Sequence, residues 1–177
     1  MITMASSSRS LLLLLLLASS AAFLAAGDKL TRIRVYMHET FAGPNATLLA
    51  VLHSPLGANE TFARVVVLDD ELRDGPDWGS SAPLGRFQGI IAGTALPGTP
   101  TAFQSTISLV FTAGEYDGST LTMVGPVLGF AGAIERALVG GTGAFRLARG
   151  YCVMTAVDTT AQSVVYETDL FVLMHAA

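Results

Sequence analysis

The stretch "VGGTGAFRLARGY", Val139 to Tyr151, sets four glycines and two arginines around a short apolar core, the composition of a loop that could cradle a phosphate. A Walker loop needs Lys and then Ser or Thr after its last glycine. A dinucleotide fingerprint needs a third glycine three residues after the second, where a helix begins. Here Gly143 leads into Ala144, Phe145 and Arg146 and then into strand-forming residues, so no helix N-terminus is available to an anion. Gly141 and Gly143 are instead expected where the backbone turns tightly and nears a neighbouring strand, with Phe145 and Leu147 packing on one face and Arg146 on the other. Arg149, whose guanidinium offers several N–H donors, is expected to pin irregular chain beneath this loop.

The other reactive side chains are sparse. Cys152 is the single cysteine, which excludes an intramolecular disulfide, and its place between Tyr151 and Val153 reads as a buried small hydrophobe rather than a nucleophile. His38, His53 and His175 are too scattered for a copper or zinc cluster, so no metal site is expected. Asp69 and Asp70, after "VVVL", either hold the rim of a site or cap a turn. Trp78, in the Pro- and Gly-rich "GPDWGSSAPLG", either covers a site mouth or packs locally.

The elements that must position these residues are strands. "TRIRVYMHET" alternates Ile33, Val35 and Met37 with Arg32, Arg34, Tyr36 and His38, the two-residue period of a strand with two environments. "TLLAVLH", "ARVVVLDD", "GRFQGIIAGTAL", "AFQSTISLVFTAG", "STLTMVG", "FRLARGYCVMTAVD" and "SVVYETDLFVLM" continue the series between Gly, Pro, Asn and Asp clusters. Asp117-Gly118 predicts a type I′ hairpin turn. With 51% apolar residues, 14% charged residues and 18 glycines in 177 residues, the chain fits one compact β-rich domain. About eight strands that follow one another in sequence are best closed into an antiparallel β-barrel, which leaves no exposed edge. Such a barrel is wide enough for packed side chains or one small ligand, which places function in its mouth or lumen.

Residues 1–27 are set apart. Arg9, the leucine run Leu11–Leu17 and the small residues down to Gly27 have the order of a secretory signal peptide, too short in its apolar core for a membrane span. Residues 28–177 form the barrel domain, and the protein is expected to be secreted to the extracellular space. The formal net charge is −4, and Lys29 is the one lysine, so nucleic acid and anionic membrane surfaces are excluded as partners. Asn45-Ala46-Thr47 and Asn59-Glu60-Thr61 are N-glycosylation sequons near Gly or Pro in expected loops, so Asn45 and Asn59 are expected to carry glycans.

In order along the chain, "YMHETFAGPNAT", "VVLDDEL", "GRFQGI", "YDGSTLTMVG" and "VGGTGAFRLARGY" resemble the plant dirigent protein family, from about Arg34 to Val172. The resemblance implies an eight-stranded antiparallel barrel similar to that of allene oxide cyclase, export to the apoplast, and assembly as a homo-oligomer, a dimer or a trimer. It implies an auxiliary protein with no oxidising centre and no cofactor. A separate laccase or peroxidase makes phenoxy radicals from a monolignol such as coniferyl alcohol, and the barrel directs the stereochemistry of their coupling. Two other readings suit the same barrel: an acid-catalysing phenolic cyclase or dehydratase, and a carrier of an apolar ligand.

The resemblance also assigns residues. The acid after the first-strand histidine corresponds to Glu39, either a catalytic lumen acid or a solvated carboxylate at a strand end. Arg86 is retained as a substrate-binding position. Ile91 stands where biaryl-coupling members often carry tyrosine. Arg136 corresponds to the arginine before the glycine-rich motif, and the family's second acid falls near Val127 and is absent.

Overall fold

Alternating β-branched and aromatic residues extend almost from end to end of the computed structural model, which describes residues 29–57 and 60–174. The expected leader, Asn59 and His175 lie outside the described residues. The described residues form nine strands: β1 (Lys29–Thr40), β2 (Leu48–Leu52), β3 (Val65–Arg73), β4 (Pro83–Gly93), β5 (Phe103–Phe111), β6 (Thr120–Val127), β7 (Ile134–Thr142), β8 (Arg149–Thr159) and β9 (Ser163–Met174). All pair antiparallel in the order β1-β9-β8-β7-β6-β5-β4-β3-β2, and an additional β1–β3 pairing closes the sheet.

Eight strands therefore form the expected antiparallel barrel, with β2 lying outside the ring. The eight are not those anticipated from the sequence. "TLLAVLH" supplies β2, which continues along β3 in the direction in which β1 leaves it, pairing Leu48 with Leu68 and Leu49 with Val67. Its place in the ring is taken by β7, a segment to which the sequence pattern assigns no strand. The glycines Gly140 and Gly141 do not end that strand: they pair with Thr122 and Leu121 across a register shift that skips Val139.

The core follows from parity. Val35, Met37, Leu68, Leu72, Ile107, Leu109, Leu121, Met123, Leu138, Leu170 and Val172 are all buried inside the barrel, and removing such side chains from water is the main stabilising term. Cys152 is buried among them, as expected, and burial pushes its thiol up to about 12. On the outside, Arg32 and Arg34 of β1 both bind Asp169 of β9, at 2.6 and 2.9 Å.

The glycine-rich motif closes one end. At Gly141 a Cβ would stand 2.0 Å from the Thr120 carbonyl oxygen, and Gly143 has φ +61° with Ser119 packed against it. Residues Gly143–Phe145 form a 3₁₀ turn that drops Phe145 onto Phe111 and Tyr116, with ring centroids 5.5 and 4.9 Å apart. The expectation that Leu147 packs beside Phe145 is corrected: Leu147 is 74% exposed with φ 62°, and Ala148 is buried instead, because the chain turns here rather than extending. Arg149 begins β8 opposite Leu173 with an exposed side chain. The expected hairpin is present, with its turn type corrected. β5 and β6 are joined by residues 112–119, in which Gly118 takes positive φ and Asp117 does not, so the turn is wider than type I′.

Candidate functional site

The opposite end of the barrel is open. It gathers the C-terminal ends of β1, β4, β6 and β8 with the N-terminal ends of β3, β5, β7 and β9. A cavity of about 420 Å³ opens there between Glu39, Phe41, Leu48, Ile91, Phe103, Phe130 and Tyr166. A smaller chamber of about 40 Å³ continues below it, reaching Arg136, Val127 and Met154. The mouth volume lies in the range of sites for single small molecules.

Glu39 reaches this cavity by the parity of β1: it follows Ile33, Val35 and Met37 on the inward face. Burial in the mouth raises its carboxyl to about 7, because removal from water disfavours the charged form. The structure thus supports the lumen position for Glu39 rather than the solvated strand end. Ile91 lines the same mouth from β4. Arg136, on β7, is buried in the lumen, where its Nη2 donates to the Ser105 hydroxyl and its Nε has no hydrogen-bond partner among the described residues. Burial holds this guanidinium below its usual range. Val127 faces the lumen and is buried, so the position expected from the resemblance for a second acid is apolar.

Arg86 is corrected. On β4, Phe87 takes the inward position, so Arg86 points outward and donates to the Asp69 carboxylate and to the Asp69 carbonyl, both at 2.7 Å. It borders a second recess of about 730 Å³ that meets the mouth at Glu39 and is shared with His38, Asp77, Trp78 and Asn45. Trp78 belongs to this recess and not to the barrel mouth: it packs on the His38 ring at 5.5 Å and under the Arg73 guanidinium at 4.5 Å. His38 is covered by this loop, with Nε2 3.1 Å from the Gly75 carbonyl oxygen. Asn45 is exposed at the recess edge.

Neither Asp69 nor Asp70 caps a turn, because β3 runs on to Arg73. Asp69 faces outward to Arg86, whose hydrogen bond holds its carboxyl below the usual range. Asp70 faces inward and is 0% exposed, and burial raises its carboxyl to about 8. Sequence reasoning missed Asp70 as a lumen group, although Val66, Leu68, Asp70 and Leu72 keep one two-residue period. Tyr166 was missed too. It sits on the buried face of β9 with Val164, Thr168 and Leu170, and burial and then the Glu39 charge raise its hydroxyl above the usual range. Among the described residues no group of His, Cys, Asp and Glu is arranged to hold a metal ion, and no helix is long and apolar enough to cross a membrane.

Comparison with known proteins agrees with this architecture. The family profile described as dirigent-like protein matches residues 30–173. Dirigent protein 1 of Arabidopsis thaliana is 35% identical over 147 residues, covering 82% of this chain and 79% of that relative. Pterocarpan synthase 1 of Glycyrrhiza echinata is 33% identical over 150 residues, covering 82% and 78%. A solved pterocarpan synthase dirigent protein superposes with a TM-score of 0.75 at 30% identity, covering 85% of this chain and 93% of that one.

Proposed function

The chain belongs to the dirigent family, and from that premise we propose that it directs the stereochemistry of ring closure in a phenolic intermediate, with Glu39 as the proton donor. One observation carries this reading: a carboxyl raised to about 7 by burial alone stands in an aromatic-walled mouth. At neutral pH part of it is protonated and available to an oxygen held there. A quinone methide needs a proton at its carbonyl oxygen before an internal hydroxyl attacks, and Phe103, Phe130 and Ile91 offer apolar faces for a flat ring. Arg136, with an open N–H in the chamber below, is suited to a phenolic oxygen. Relatives named pterocarpan synthase support a cyclising reaction.

The aromatic mouth also favours a second reading, stereoselective coupling of phenoxy radicals supplied by a laccase or peroxidase. The same proposal places the protein outside the cell as a homo-oligomer. Incubation with a panel of phenolic substrates, with and without an added oxidase, tests both readings by chiral chromatography. The expected result is enantiomerically enriched cyclised product without oxidant. Enrichment only with the oxidase gives the coupling reading, and racemic product at every protein concentration overturns both.

A further inference from the structure

We propose that Asp70 is a second acid of the site: buried and protonated, it faces Glu39 across the β1–β3 seam and stabilises the Glu39 carboxylate left after each proton transfer. The placement comes from the backbone. The seam pairs Tyr36 with Arg73, Met37 with Leu72 and His38 with Glu71, and Glu39 follows His38 as Asp70 precedes Glu71, so the two carboxyls lie just beyond the last pair of the seam, close enough for the charge of Glu39 to act on Asp70. Both are on inward faces, Glu39 after Met37 and Asp70 before Leu72. The Thr47 hydroxyl donates to Asp70 Oδ1, while Oδ2 is buried with no hydrogen-bond partner among the described residues.

A buried carboxylate with an unsatisfied oxygen is costly, and like charges directly opposite on a sheet destabilise it. No salt bridge to Asp70 is present among the described residues to relieve this. Arg136 on β7 is held by Ser105, Arg86 on β4 by Asp69, and Arg73 on β3 by Glu71. Tyr166 on β9 adds a neutral phenol, Arg64 lines the mouth ahead of β3, and His38 faces outward. A proton on Asp70 resolves both problems, because Oδ2 then becomes a donor to Glu39. The charge of Glu39 is itself one of the causes that raise the Asp70 carboxyl, after burial.

In the reaction, Glu39 gives its proton to the quinone methide oxygen and becomes a carboxylate that accepts a hydrogen bond from Asp70. The internal hydroxyl then bonds to the methide carbon and releases its proton to Glu39, which restores the starting pair. Asp70 keeps its own proton throughout and is a positioning residue. This catalytic consequence rests on the function proposed above; the coupling of the two carboxyls does not.

The test is a pH titration of side-chain carboxyl carbons by NMR on the ¹³C-labelled full chain, made in bacteria so that no glycan intervenes. In the parent, two carboxyls are expected to titrate well above the ordinary range. In Glu39→Gln, the Asp70 step should move down by about one pH unit or more, the mark of strongly interacting sites. Thr47→Val keeps the side-chain shape, removes the hydroxyl, and should move the same step up. An Asp70 midpoint unchanged in Glu39→Gln, or an Asp70 that titrates in the ordinary range in the parent, overturns the proposal. Because this measurement uses no substrate, coupled carboxyls without any product would sink the proposed function alone.

Discussion

Arg136 reaches from β7 past β6 to hydrogen-bond Ser105 on β5, so a buried guanidinium crosses the chamber floor with no carboxylate in salt-bridge contact among the described residues. An unpaired buried charge works against folding. Arg136→Met should therefore leave thermal stability unchanged or raise it by about 2–4 °C for each kcal/mol gained. Affinity for a phenolic ligand should fall about tenfold or more, the worth of one hydrogen bond to a charged group. Calorimetry and ligand titration on the same preparation check the two effects.

Glu39→Gln removes the exchangeable proton and keeps the side-chain shape. Rate should fall by about 10²–10⁴-fold, the usual contribution of general acid catalysis, enantiomeric excess should fall with it, and melting temperature at neutral pH should be unchanged or raised, because a buried carboxyl that charges near pH 7 is gone. Glu39→Asp keeps an acid one methylene shorter and should retain product formation with an altered isomer ratio. Chiral chromatography at equal folded concentration measures all three proteins.

Stability should decline as pH rises from about 4 to about 8. Glu39 and Asp70 are raised in the folded protein to about 7 and about 8, so the folded state holds more protons than the unfolded chain across that window. Their contribution is complete below the ordinary carboxyl range and is lost as pH climbs through the raised values. Asp169, lowered by Arg34 and Arg32, acts with the opposite sign at more acidic pH. Melting curves across pH should fall toward alkaline pH in the parent and flatten in the Glu39→Gln, Asp70→Asn double variant.

Gly143→Val forces a β-branched residue into φ +61° against Ser119, and Gly141→Val drives a methyl-bearing carbon into the Thr120 carbonyl. Each should cost about 1–3 kcal/mol or more, measured by denaturant unfolding. ATP, NAD and inorganic phosphate should produce no thermal shift in the parent.

Asn45 projects from an exposed turn. In protein collected from a plant culture medium, an endoglycosidase should lower the apparent mass, and Asn45→Gln should remove one step of that shift. An intracellular, enzyme-insensitive product would end the expectation of export with a glycan.

The inward course of Ile33, Val35, Met37 and Glu39 was legible in the sequence because β1 alternates cleanly, and closure followed from the number of consecutive strands. β7 was hidden because Arg136 interrupts its apolar face and Gly140 and Gly141 imitate a loop. Asp69 and Asp70 looked like a turn because adjacent acids suggest solvent, although adjacent residues of a strand face opposite ways. Arg86 was assigned to substrate binding by family motif alone, and the parity of Phe87 turns it to the outer face of β4. The placing of Glu39 and Asp70 just beyond the same seam depends on which distant strands close the ring, and no local period encodes that closure.

Since β2 resumes along β3 where β1 departs, residues 41–47 are an excursion spliced into one broken strand, its ends tied by the Thr47 amide to the Thr40 carbonyl at 2.8 Å. Lengthening such an excursion costs only about 0.6 kcal/mol per doubling and leaves both strand registers in place. With Phe41 on the wall of the mouth, new residues inserted here would redraw the entrance around Glu39 while the ring of eight strands stayed intact, making this segment the natural point for evolving or engineering a different substrate.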